Sequence, residues 1–181
     1  ENSLHSQLSK SYKWSVNWGN QNLNLKILDS SNITTEHIDE FRHLHFKSAG
    51  RQTRTLQTWK IQLDMISSNE AFSVFAYDNN CLLSAAFFAH NHYHCYYSVS
   101  ASDRDYFDKP LGHSVIWAGL LHAKNMDIKY FEMGEQYFPK VQNIDISKKQ
   151  LGIATFKRLF GGHTKVFIDF SSLLNLQANT R

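Results

Sequence analysis

The chain has 181 residues, 42% of them hydrophobic and 19% charged, an ordinary globular balance that argues against a disordered chain and predicts one domain with a real core. A net charge of +3 is too small to argue for nucleic acid as a partner. Two cysteines make no disulfide framework, and no apolar run approaches the length of a membrane span.

The start, ENSLHSQLSK, is polar and lacks the apolar stretch of a signal peptide. With two thiols read as small hydrophobes, this predicts a reducing, cytoplasmic setting. Residues 1–22 are rich in Ser and Asn and carry Tyr12, Trp14 and Trp18, so they read as a lead-in segment docked by its aromatics. A single domain is expected over 23–178. LNLKIL (23–28) alternates apolar and polar residues, a short strand. Thr34-Thr35 offers an N-cap, Ile38, Phe41 and Leu44 follow at helical spacing, and Gly50 ends that helix. A second helix starts near Thr53 or Thr55 and carries Leu56, Trp59, Leu63 and Ile66 on one face.

AFSVFAYD (71–78), CLLSAAFFAH (81–90) and YHCYYSVSAS (93–102) read as an antiparallel meander, with Asn79-Asn80 as its first hairpin turn. The loop 103–113 leads to a helix over 114–126. IKYFEMGE (128–135) reads as a short buried strand, ISKKQLGIATFKRLFGGH (146–163) as a helix stopped by two glycines, and TKVFIDF (164–170) as a last strand. A short helix over 171–177 closes the chain. The predicted order is β-α-α-β-β-β-α-β-α-β, an α+β fold. Its sheet is mixed but mostly antiparallel, because one strand–helix–strand crossover makes its flanking strands parallel.

Several groups can carry chemistry. Unpaired N–H groups and the positive dipole end of a helix bind anionic phosphates. Arg104, Lys109, Leu111, Gly112 and His113 stand just before the 114–126 helix and form a candidate phosphate cradle. In the 146–163 helix, Ile153, Phe156 and Phe160 share an apolar face, and Lys157 lies at its edge. Lys157 is therefore either a snorkelling lysine or a charge placed beside the core for use. Glu132 and Glu135 differ by three, so in an extended strand they face opposite sides, and Glu135 is the preferred candidate base. Arg51 and Arg54, in the turn AGRQTR, suit a phosphate or carboxylate. His92 and His94 share a strand face, but a zinc site needs a third ligand, so no metal is expected.

HFKSAGRQTRTLQTW (45–59), YYSVSASDRDYFDKPLGHSVIWAGLLHAKNMDIKYFEMGE (96–135) and FKRLFGG (156–162) resemble the FemAB-like branch of the GNAT acyltransferases. The element order is that of the GNAT fold. The resemblance implies helices on both faces of the sheet, a donor entering between two splayed strands, and acetyl-CoA or another acyl-CoA as cosubstrate. It implies that Phe156 packs the donor and that Lys157 stabilises negative charge on the acyl carbonyl oxygen. Arg51, Arg54, Tyr97 and Asp103 fall in the stretches where such proteins build the acceptor site. Two departures stand out: FemAB-like proteins usually carry two such domains in tandem, and KPLGHS has one glycine where the acetyltransferases have a glycine-rich turn. The expected activity is acyl transfer to an amine or hydroxyl of a small molecule or cell-envelope precursor. An aminoacyl-tRNA donor and a non-catalytic binding module are the alternatives.

Overall fold

A computed structural model describes residues 2–138 and 145–166. The chain begins with helices α1 (Asn2–Gln7) and α2 (Lys10–Asn22), followed by strand β1 (Asn24–Leu28). Helices α3 (Thr35–Ala49) and α4 (Leu56–Ser67) come next. Strands β2 (Ala71–Asp78), β3 (Cys81–His90) and β4 (His94–Ser102) form the meander. A 3-10 turn at Arg104–Tyr106 leads into α5 (Leu111–Asn125), then β5 (Tyr130–Glu132) and α6 (Lys148–Arg158).

Local chemistry accounts for most of these limits. The side chains of Ser9, Thr34, Thr55 and Ser147 each accept a backbone N–H from the first turn of α2, α3, α4 and α6. Gly50 closes α3 at φ 70°. Asn79 and Asn80 both hold positive φ, 48° and 64°, as a tight two-residue hairpin requires.

The five strands lie side by side in chain order. β1 through β4 pair antiparallel, and β4 pairs with β5 parallel. β2 and β3 are buried along nearly their whole length, because helices cover both faces. Phe72, Val74 and Ala76 pack with α2 and α5, while Phe75 and Tyr77 pack with α3 and α4. The alternation of β2 thus feeds two cores at once.

Four expectations need correction. The segment expected as a lead-in docked by its aromatics forms two helices, Asn2–Gln7 and Lys10–Asn22. Tyr12, Val16, Gly19 and Leu23 line the buried face of the second, and Tyr12 and Trp18 pack on the core, whereas Trp14 is 63% exposed. At Gly19 a Cβ would lie 1.6 Å from Ser114 Oγ, so α2 and α5 touch backbone to side chain and only glycine fits. The polar composition hid this stripe, since Ser and Asn fill its other face.

Second, α5 begins at Leu111 and not at Ser114, with Pro110 in the cap position. Third, β5 is three half-exposed residues, not eight buried ones. Positive φ at Asp127 and Gly134 brackets it, and β4 is its one partner among the described residues. Fourth, residues 164–166 are not in a strand. The rest of the expected last strand and the helix over 171–177 lie outside the described residues.

Candidate active-site cleft

Strands β4 and β5 share only three register pairs, His94 with Tyr130, Cys95 with Phe131 and Tyr96 with Glu132. Past Tyr96 the two part, while β4 runs on to Ser102. The V-shaped gap is closed at one end by the first turn of α5 and flanked by α6.

A bulge shapes the wall of this gap. Phe87 pairs with Val99 and Phe88 with Tyr97, so Ser98 is an extra residue in β4. Without it Cys95, Tyr97, Val99 and Ala101 would share one face. Instead Cys95 and Tyr97 pack with the α5 core, and Val99 and Ala101 with the α3–α4 core. Ser100 and Ser102 thereby turn to the α5 side. The Tyr97 hydroxyl is hydrogen-bonded to Ser100 Oγ, and burial pushes its pKa up. Ser102 Oγ lies 2.9 Å from Ser84 Oγ.

The first turn of α5 faces these hydroxyls. A Cβ on Gly112 would sit 3.8 Å from both Ser102 Oγ and Phe156 Cζ. The α5 start has no side-chain cap hydrogen bond, unlike α2, α3, α4 and α6. Of its first three N–H groups, Leu111 donates to Lys109 O at 2.9 Å and His113 to Pro110 O at 3.2 Å. The Gly112 N–H makes no such bond among the described residues. Leu111 itself is a core side chain, 2% exposed.

The expected cradle residues therefore differ in use. Lys109 Nζ lies over the Tyr106 ring at 4.8 Å from its centroid, at the edge of the cleft. Arg104 is exposed in the 3-10 turn. His113 is no phosphate cation. Its ring sits among Tyr12, Phe156 and Phe160, with centroids 4.3, 5.1 and 6.0 Å away. Burial holds its pKa below the usual histidine range, against the pull of a hydrogen bond to Pro110 O. It is a neutral part of the wall that fixes Phe156.

Helix α6 brings Phe156 and Lys157 to the gap. Ser147 and Gln150 form its capping box. The apolar stripe runs through Ala154, 1% exposed, and Phe160, 6% exposed, whereas Ile153 is 42% exposed and leaves the face expected for it. The chain passes Gln7 at Gly161, where a Cβ would lie 3.1 Å from Gln7 O and φ is 86°. Tyr12 donates its hydroxyl to Phe156 O at 3.1 Å, so the N-terminal helix braces α6.

Lys157 is half-buried, with Nζ 2.9 Å from where a Cβ on Gly134 would be. The Tyr96 hydroxyl is 3.5 Å from the same point. Burial lowers the Lys157 pKa from 10.5, opposed by the charges of Glu135 and Glu132. Both carboxylates lie near enough for their charge to favour the ammonium. Strand alternation ends at Glu132, and the turn at Gly134 (φ 79°) brings Glu135 back. Glu135 accepts from the Tyr137 hydroxyl at 2.8 Å, and Glu132 pairs with His94 Nε2 at 3.0 Å.

Asp103 is committed to the scaffold. It is 4% exposed, caps the 3-10 turn through the Asp105 N–H at 3.1 Å, and meets Lys47 Nζ at 2.8 Å. Burial alone would raise its pKa, but the Lys47 and Asp105 hydrogen bonds hold it below the usual carboxylate value. Replacing Lys47 by Met is expected to destabilise the fold at neutral pH, because it leaves the buried Asp103 carboxylate without its cation. Asp103 is depressed in the folded state, so its contribution is present above the unfolded value and lost as pH falls through the folded one. Paired denaturant melts should show the gap between wild type and Lys47→Met closing in acid.

Arg51 and Arg54 line a separate pocket of about 350 Å³ between α3 and α4, with Arg42, His45, Phe46 and Trp59. Lys47 also meets Asp105 at 2.6 Å, so α3 is tied to the connection from β4 into α5. Among the described residues no three His, Cys, Asp or Glu side chains form a metal cluster. Arg42, Tyr96, Ser102 and Tyr12 are the residues that reading the sequence missed. Tyr96 had a signal in the YY pair, whereas nothing local linked Tyr12 to Phe156.

No family model and no curated protein matches the chain. Solved structures do. FemX superimposes with a TM-score of 0.70 at 12% identity, covering 88% of this chain and 55% of FemX. An aminoglycoside acetyltransferase from an uncultured soil metagenomic sample, solved with trehalose, gives a TM-score of 0.61 at 11% identity, covering 85% of this chain and 97% of that one. The aminoglycoside acetyltransferase AAC(6')-Iy, solved with the bisubstrate analogue CoA-S-monomethyl-acetylneamine, gives 0.60 at 10% identity, covering 83% and 99%. The fold is therefore that of the GNAT acyltransferases, with a FemAB-like relative among its structural neighbours.

Proposed function

We propose that this chain is an acyltransferase that moves an acyl group from a CoA thioester to an amine or hydroxyl. The carrying observation is the convergence of an uncapped α5 N-terminus, Phe156 and a half-buried Lys157 on the gap between β4 and β5. The residues fit such a donor. The Gly112 N–H and the α5 dipole suit its pyrophosphate, with Lys109 and Arg104 at the rim. Phe156, braced by Tyr12 and His113, gives its chain an apolar wall.

A CoA thioester supplies an acyl group already activated for attack. The protein's part is to place and polarise it. Lys157 holds an ammonium where negative charge develops on the carbonyl oxygen. Glu135, exposed in the turn after β5, takes the proton of the attacking amine or hydroxyl; as the new C–N or C–O bond forms the thioester C–S bond breaks, and CoA leaves as a thiolate that takes up that proton. The gap itself excludes water from one side of the reacting centre. The attack on the thioester is direct, and Cys95 takes no part in it: it is buried, with its thiol pKa pushed up to about 12 by burial.

The same fold in AAC(6')-Iy was solved with a CoA-linked bisubstrate analogue, which supports the donor. The Gly112 N–H, making no backbone hydrogen bond among the described residues while its two neighbours are used internally, favours a second reading in which an aminoacyl-tRNA is the donor. Calorimetric titration of CoA and acetyl-CoA into the purified chain separates them. Micromolar binding, weakened about tenfold by Lys109→Ala, is expected for the CoA donor. Absence of binding at millimolar CoA removes that donor and leaves the second reading.

A further inference from the structure

We propose that Tyr12 is a positioning residue for the acyl donor, and that α1 and α2 form a clamp that sets Phe156 and Lys157 in the cleft. This deepens the acyl-transfer reading and rests on it for the word donor, while the clamp stands on contacts within the chain.

Phe156 and Lys157 are consecutive, so one planar peptide unit joins them. Its carbonyl, Phe156 O, accepts the Tyr12 hydroxyl at 3.1 Å. The end of α6 leaves that carbonyl available. Leu159 donates to Thr155 O at 3.3 Å, Phe160 to Lys157 O at 3.3 Å and Gly161 to Arg158 O at 3.0 Å. From Phe160 on the bonds tighten to the 3-10 pattern, and none of these N–H groups takes Phe156 O. Tyr12 supplies the bond that the helix does not make for itself.

Two further contacts grip the same turn. Ser9, the residue that caps α2, donates its backbone N–H to Leu159 O at 3.3 Å. Gly161 passes Gln7 so closely that a Cβ would lie 3.1 Å from Gln7 O. The α1–α2 junction thus holds the chain on both sides of Phe160, whose ring is 4.9 Å from that of Tyr12. His113, in the first turn of α5, meets Tyr12 edge-on at 4.3 Å and 84°. Three helices, α2, α5 and α6, therefore meet on one tyrosine ring.

Ring packing alone would be served by phenylalanine. The hydroxyl is what fixes the peptide plane between the two cleft residues. Burial pushes the Tyr12 pKa up to about 12, so the hydroxyl keeps its proton and donates at neutral pH. Rotation of that plane would carry Phe156 away from Gly112 and Lys157 away from Gly134, and misplaced groups lose rate steeply.

The test compares the full chain with Tyr12→Phe, Phe156→Ala and the double variant, using two readouts. The first is calorimetric titration with CoA. Tyr12→Phe should weaken binding about 3- to 10-fold, and should add little in the Phe156→Ala background, because Tyr12 acts through Phe156. The second needs no ligand: the pH dependence of Lys157 labelling by acetic anhydride, read by peptide mass spectrometry. In the wild type its midpoint should lie below the ordinary lysine value, with Glu135, Glu132 and the Tyr96 hydroxyl as the neighbouring groups. Tyr12→Phe should move it up, as a loosened turn lets water reach the ammonium. Phe41→Leu, a loss of packing in the other core, should leave both readouts unmoved. A Lys157 midpoint unchanged by Tyr12→Phe overturns the proposal. So do fully additive losses of CoA affinity in the double variant, or the same shifts in Phe41→Leu. A Tyr12-dependent midpoint in a chain that binds no CoA upholds the clamp and removes the CoA donor instead.

Discussion

Replacing Lys157 by Gln is expected to lower kcat for acyl transfer about 10²–10³-fold, with the KM for the donor changed much less. A single preorganised donor at a developing oxyanion is worth roughly 2.7–4 kcal/mol of barrier. Lys157 is half-buried beside Gly134, where burial lowers its pKa and the charges of Glu135 and Glu132 oppose that shift. The pH profile gives a second signature. Because burial lowers its pKa from 10.5, activity should fall on the alkaline side at a pH below the ordinary lysine value. Lys157→Arg, always charged, should keep part of the rate and lose that limb. Stability should move the other way. With the folded value below the unfolded one, the ammonium costs stability at neutral pH, a cost that fades as pH rises from the folded toward the unfolded value. Lys157→Met should thus be no less stable than wild type while nearly inactive. A variant that lost activity and stability together would point to a packing role for the side chain.

Phe88→Ala is the substitution expected to cost most in stability, about 4 kcal/mol. The ring is 0% exposed and stacks on Phe72 at 5.0 Å and 17°. It also meets Tyr97 at 5.7 Å and Phe131 at 5.8 Å, one on each side of the gap. On α5, Gly119 makes room for it: a Cβ there would lie 2.3 Å from Phe88 Cζ. One ring therefore joins α5 to both strands that border the cleft. Truncation leaves a cavity that neither the sheet nor α5 can close. Denaturant titration should show a lower midpoint at unchanged slope, and Phe88→Leu should recover much of the loss.

Much of this architecture was legible in local chemistry. The alternation in AFSVFAYD, the asparagine pair at 79–80, the Thr34 and Thr55 caps and the Gly50 stop each act within a few residues. Backbone dihedral preference and side-chain period are short-range, so the sequence by itself determined the meander, the α3–α4 pair and the parallel crossover. The resemblance carried by FKRLFGG implies a donor role for Phe156 and Lys157; in the structure α6 carries Phe156 toward Gly112 and Lys157 toward Gly134.

What local chemistry did not contain, the tertiary structure decided. The Ser98 bulge reverses the faces of β4 because the register with β3 must satisfy two cores at once. Tyr12 reaches Phe156 across 144 residues, and no pattern in a polar N-terminal stretch announces a partner that distant. The turn at Gly134 brings Glu135 back toward Lys157 after the strand has ended. The Arg54 Nε is buried between α3 and α4 without a hydrogen bond to any described residue, which the exposed turn AGRQTR did not announce. In each case the deciding contact is long-range, made by desolvation and close packing between elements. Residue identity set the chemistry of each side chain, and the assembled fold set which of them face one another.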